Sequence, residues 1–84
     1  MSQFRWMRSQ EEKEKLKELG EKIRSLRLER GHNQTEFANL IGKDQPSVNR
    51  LENGNVNPGY LYLVEIAKGL EIDVSELIPN STDV

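Results

Sequence analysis

The 84-residue chain has no cysteine, one histidine, one tryptophan and three prolines. Without cysteine, neither a disulfide framework nor a cysteine-held zinc ion can brace the fold, and His32 alone cannot build a metal site. No apolar run reaches the length of a signal peptide core or a membrane span; Arg5 and Arg8, around Phe4, Trp6 and Met7, are not followed by one. The expected compartment is the cytoplasm, with no membrane partner and no cofactor. Also missing are a phosphate-binding glycine loop, a nucleophile motif and a histidine–carboxylate cluster, so an enzyme is the weakest functional class.

With 35% hydrophobic and 31% charged residues, the length fits one small globular domain. Such a chain hides only about 60% or slightly more of its unfolded surface, so a large substrate cavity would cost core that it lacks. Binding at the outer surface is the expectation. The formal net charge of −2 hides a gradient. Residues 1 to 20 carry five basic and four acidic side chains, residues 21 to 57 six and five, and residues 58 to 84 one and five. A polyanion would meet the first two-thirds of the chain and be repelled by the last.

No internal repeat or Gly/Ser linker divides the chain. Leu16, Leu19, Ile23 and Leu26 recur at helical spacing, which predicts a helix over 11–30 that stops at Gly31. Before Gly20 the pairs Glu11 with Lys15, Glu14 with Lys17 and Glu18 with Lys22 support an exposed helical lead-in. A dimer contact, or a DNA-reaching arm using Arg5 and Arg8, is the other reading of that segment. Gly20 costs about 1 kcal/mol inside a helix, so a bend or restart is expected there.

A second helix fits Gln34 to Ile41, with Asn33 as N-cap, Glu36 completing a capping box, and Phe37, Ala38 and Ile41 inward. Gly42 ends it. A third fits Gln45 to Asn53, capped by Asp44 and stopped by Gly54, and two short helices joined this way form a helix-turn-helix unit. A fourth runs from Pro58 through Gly69 or Leu70, a short fifth from Val74 to Ile78 ends at Pro79, and Asn80 to Val84 should be a loose tail. The fold class is all-α, five helices without a strand.

On a wheel of about 100° per residue, Val48 and Leu51 point one way along the third helix, while Gln45, Pro46, Asn49, Arg50 and Asn53 spread over the other side. That outer face has no acid, in a chain with 14 acidic residues. Gln and Asn can pair bidentately with adenine N6 and N7, and Arg with guanine O6 and N7. Amides are also common on plain solvated surfaces. Their place within a helix-turn-helix is what favours readout.

The run Asn33-Gln34-Thr35-Glu36-Phe37-Ala38, then Ile41-Gly42, then Gln45 through Gly54, then Asn57-Pro58, closely resembles the lambda-repressor-like (Cro/cI-type, XRE-family) helix-turn-helix DNA-binding regulators. Ile23-Arg24-Ser25-Leu26-Arg27 upstream, with Ala67-Lys68-Gly69-Leu70 and Ser75-Glu76-Leu77 downstream, extend the match over five helices. The resemblance implies an N-terminal helical extension over 1–18, a compact domain over 19–79 with its helix-turn-helix unit at 34–53, and a tail over 80–84. It also implies that the third helix enters the major groove and that Gln34, opening the second, clamps a phosphate, its N–H aided by the positive helix end. Gln45 and Arg50 become the leading base readers and Asn49 a weaker one; Ser47 is open to a base or a phosphate contact. Lys43, Asn53 and Asn55 flank as backbone contacts.

The sequence departs from that family at Pro46, where relatives often carry a base-reading side chain. Proline suits the first turn of a helix but offers no hydrogen bond, so only a thymine methyl could be touched there. It also disfavours a helical Gln45, which leaves the helix start open by a residue. Arg27 and Glu52 match positions that form an ion pair in relatives, and are read as structural.

Trp6 is read as covering an exposed edge of the first helix or as disordered, with a wedge or dimer anchor as alternatives; His32 is given no role. Tyr60 and Tyr62 are read as packing residues. The apolar surplus at Tyr60, Leu61 and Val64 suggests a dimer patch, and a two-fold dimer would bind a palindrome with halves about 34 Å apart. The functional expectation is therefore a sequence-specific regulator of transcription on double-stranded DNA, acting as a homodimer. Phage-type repressor, restriction-modification controller and antitoxin with a toxin partner are its open variants. The rival class is a protein-interaction module that keeps the fold without binding DNA.

Overall fold

The computed structural model describes residues 2–78, with side chains from Gln10 onward. The expectations for the side chains of Arg5, Trp6 and Arg8, and for Pro79 and the tail, lie outside the described residues. Four α-helices run in order, α1 Ser2–Glu29, α2 Gln34–Leu40, α3 Gln45–Glu52 and α4 Tyr60–Leu70, followed by a 3₁₀ turn Val74–Leu77. Among the described residues the fold is all-α. The expected fifth α-helix is this single 3₁₀ turn, because only four residues separate its cap, Asp73, from Ile78, too few to complete two α-helical turns.

Local capping sets the two short helices. The Asn33 side chain accepts from Glu36 N at 2.8 Å while Glu36 Oε1 accepts from Asn33 N at 2.8 Å, a closed capping box that satisfies two otherwise unpaired donors. Asp44 Oδ1 accepts from Ser47 N at 2.9 Å and opens α3 with Gln45 and Pro46 in its first turn. The helix start left open by Pro46 is thus at Gln45, whose extended neighbour Asp44 supplies the cap. Between the helices Gly42 has φ +69°, a left-handed value that costs glycine little and most residues more, and the Lys43 N–H closes the turn onto Ala38 O at 2.8 Å. The fourth helix begins at Tyr60 rather than Pro58, because Gly59 is its N-cap and brings no side-chain hydrogen bond.

The restart expected at Gly20 does not occur: α1 passes through it unbroken, and tertiary packing gives the reason. A Cβ on Gly20 would lie 2.6 Å from Leu51 O and closer still to Glu52 O, so only glycine lets α1 rest its backbone on the last turn of α3. Gly54, at φ +76°, repeats the device one turn along α1, where a Cβ would lie 2.8 Å from Lys17 Cα. These contacts fix the long helix across the end of α3. The expected ion pairs of Glu14 with Lys17 and Glu18 with Lys22 are not formed among the described residues, since exposed pairs repay little for holding two long side chains still.

Ile23 of α1, Phe37, Ala38 and Ile41, Val48 and Leu51 of α3, Ile66, Ala67 and Leu70 of α4, and Leu77 form one buried cluster. Every element contributes to it, and α3 packs mainly against α1 and α2. Leu63 and Tyr62 pack at its margin, Val64 is half-buried, and Tyr60 and Leu61 remain 68% and 76% exposed. Of the expected dimer patch, two residues are thus open to solvent and Val64 is only partly so.

Candidate nucleic-acid interface

Burial of Val48 and Leu51 turns the opposite side of α3 outward, leaving Gln45, Pro46, Asn49, Arg50 and Asn53 exposed and Ser47 half-buried. No carboxylate stands among the exposed residues within α3, because its one acid, Glu52, is turned inward and 5% exposed. Arg27 Nε and Nη2 donate to the two Glu52 carboxylate oxygens at 2.6 and 3.0 Å, and Arg27 Nη1 donates to His32 O at 2.8 Å. A two-pronged pair inside the protein ties the last turn of α1 to the last turn of α3.

Gln34 connects this pair to the surface. Its Nε2 donates to Glu52 Oε1 at 3.0 Å, while its Oε1 accepts from Gln45 Nε2 at 2.6 Å and from Asn49 Nδ2 at 3.4 Å. Asn53 Nδ2 in turn donates to Asn49 Oδ1 at 3.0 Å. A chain of amides therefore runs from the buried carboxylate to the outer face of α3. An amide nitrogen carries two hydrogens, so Gln45 keeps one N–H and its oxygen, the donor and acceptor that an adenine edge requires. Asn49 gives one N–H to Gln34 and accepts one bond from Asn53, so it is tied at both ends and keeps one N–H and one lone pair. Arg50 gives one hydrogen bond to Ser47 Oγ at 3.2 Å and retains the rest of its fork.

Two further features border the face. Lys43 Nζ lies 4.7 Å from the centroid of the Tyr62 ring, a cation over an aromatic face that parks the lysine beside the start of α3. Burial raises the Tyr62 phenol above its ordinary value, with the Arg50 charge opposing and Asp44 adding to the effect. The Asp44 carboxyl is lowered, chiefly by the Ser47 side chain and then by the Ser47 N–H. On the α1 side, a concavity of about 390 Å³ is bounded by Lys17, Glu21 and Arg24 and by Gln34, Asn49, Glu52 and Asn53. Sequence reasoning gave Lys17 only a pair with Glu14, and Arg24 only a place in the family match; it put neither at the interface. Their separation of seven residues, which returns to one helix face, was the available signal. Nor did it assign a role to the Gln34 side chain toward Gln45 or to the His32 carbonyl.

Two short capped helices meeting through a glycine turn, with the second held by its apolar side and presenting an acid-free polar one, define a helix-turn-helix domain. The helix-turn-helix family model matches residues 23–77, and the chain belongs to that family, in its lambda-repressor-like branch. Among solved structures it is similar to the restriction-modification controller protein C.AhdI from Aeromonas hydrophila, at 32% identity and a TM-score of 0.72 over 74% of this chain and 90% of that one. A transcriptional regulator of the same family from Vibrio cholerae aligns at 26% identity and a TM-score of 0.75 over 83% of this chain. This chain spans 39% of the length of the Vibrio protein.

Proposed function

We propose that the protein is a sequence-specific DNA-binding regulator of transcription that works in the cytoplasm, lays the outer face of α3 in the major groove and binds a palindromic site as a homodimer. The observation that carries this reading is the acid-free face of α3, with Gln45 poised by Gln34 and Arg50 alongside it, in a helix-turn-helix family member. Gln45 and Arg50 read bases. Asn49, drawn toward Gln34 and Asn53, contributes mainly by keeping Gln45 and the end of α3 in register. Pro46 meets a thymine methyl or nothing. Gln34, Lys43, Ser47, Asn53 and Asn55 lie against the sugar-phosphate backbone and set the docking angle without reading sequence. The similarity to a restriction-modification controller and to a transcriptional regulator supports the same class.

The exposed pair Tyr60 and Leu61, with half-buried Val64 beside them, supplies the apolar surface for the dimer contact. Two-fold symmetry then places two copies of α3 about 34 Å apart, one turn of the duplex. Selection of bound sites from a random DNA pool, followed by a salt titration on the winner, tests the reading. An inverted repeat is expected, with affinity falling on the order of 10³- to 10⁵-fold between 50 and 200 mM salt for about 6 to 10 phosphate contacts. A pool that never enriches, with no binding even at low salt, would leave the protein-interaction class in its place.

A further inference from the structure

The cations of α1 are not spread evenly around it. At about 100° per residue, Lys13, Lys17 and Arg24 fall within an arc of about 40°, directly beside Gly20 and Arg27, the positions through which α1 meets α3. Glu21, Glu14 and Glu18 follow in that order across the outer side, and Lys22 and Lys15 lie on the far edge. The order is meaningful because the two glycine contacts fix the rotation of α1: its cationic edge faces the end of α3 and the loop beyond it. Lys17 and Arg24 share a concavity with Asn49 and Asn53, and Lys13 and Lys17 share a second, of about 540 Å³, with Asn53 and Asn55. All three cations are exposed, and none forms an ion pair among the described residues. Of the two carboxylates in the first concavity, Glu52 is already neutralised by Arg27, which leaves Glu21 against two cations.

We infer that Lys13, Lys17 and Arg24 grip the sugar-phosphate backbone of the same duplex outside the major groove, so that the long first helix lengthens the footprint without adding sequence preference. This rests on α3 docking as proposed above, because that docking brings Asn53 and Asn55 to a strand and the cationic edge continues from them. The surface fits a phosphate row better than an acidic protein: two ammonium groups and one guanidinium are spaced along a rod, and the amides of Asn49, Asn53 and Asn55 run beside them.

The test is a triple variant, Lys13→Gln, Lys17→Gln and Arg24→Gln, compared with a control of equal net charge, Lys15→Gln, Lys22→Gln and Lys68→Gln, whose changes lie on the far edge of α1 and on α4. Thermal melts establish that both fold. Binding is then measured against salt on a selected and on a random duplex, with hydroxyl-radical footprints of the bound strands. The expected result is a salt slope lower by about 2 to 3 per protomer for the first variant, at about 0.9 per lost phosphate contact. Affinity for the two duplexes should weaken alike, protection should shorten at the outer edge of each half-site, and the control should stay near wild type. An unchanged slope and footprint in a protein that still binds DNA would overturn the inference while leaving the DNA-binding reading intact. Equal slope losses in both variants would overturn it as well, by showing a net-charge effect. Absence of salt-dependent binding by the unaltered protein would remove the reading itself and this inference with it.

Discussion

Gly20→Ala separates tertiary packing from helix propensity, because the two predict opposite signs. In an exposed helix interior, alanine stabilises by about 1 kcal/mol relative to glycine. At Gly20 the new methyl would stand 2.6 Å from Leu51 O, where ordinary contact begins at 3.4 Å, and both oxygens it meets belong to backbone at the end of α3. The helices would have to part by at least roughly 0.8 Å, the difference between those distances, and by more to clear Glu52 O. Overpacking of this kind costs typically 1 to 3 kcal/mol, and backbone neighbours that cannot rotate away place it near the upper value. After the propensity gain the expected net loss is about 2 kcal/mol, which lowers Tm by roughly 8 to 16 °C in a domain of this size. Melts followed by far-ultraviolet circular dichroism, with urea unfolding for the free energy, measure it. A Tm equal to or above wild type would refute the close approach of α1 and α3.

Glu52→Ala should cost about 3 to 5 kcal/mol, because Arg27 would be left buried without its carboxylate; normal stability combined with altered sequence preference would contradict the structural role of the pair. Asp44 has a lowered carboxyl pKa in the folded protein, so its contribution to stability is complete above the unfolded value and is lost as pH falls through the folded one, below about pH 4. Asp44→Asn keeps a side-chain cap acceptor but cannot titrate, so its Tm should fall less steeply than wild type between pH 5 and 2; parallel curves would oppose the cap's electrostatic part. Leu61→Lys should convert the proposed dimer to monomer in sedimentation at tens of micromolar without lowering Tm of the monomer, since Leu61 is 76% exposed. A dimer that persists would move the contact elsewhere.

The parts of the fold governed by neighbours in sequence were legible in advance. Asn33 with Glu36, Asp44 before Pro46, and the inward stripes of α2 and α3 are short-range devices, and they appear at those residues. What was misread depends on distant partners. Gly20 resembles a helix breaker until the carbonyls of Leu51 and Glu52 come into view, and the spacing of Glu14 and Lys17 promises a pair that solvent leaves open. The amide-rich face of α3 was visible from the wheel. Its coupling through Gln34 to Glu52 was not, because α2 and α3 must pack together before those side chains meet. Likewise, Lys43 and Tyr62 are 19 positions apart, and only the packing of α4 beside the turn brings one over the other.

The claim on which the account turns is that the outer face of α3 distinguishes one base sequence from another. Affinity of Arg50→Ala for a selected duplex and for a random one, at the same salt, addresses it most directly. The expected result is a loss of about 1 to 3 kcal/mol on the selected site and little change on random DNA, with relaxed preference at one position of each half-site. Equal losses on both duplexes would contradict it by reducing Arg50 to a contact with the phosphate backbone.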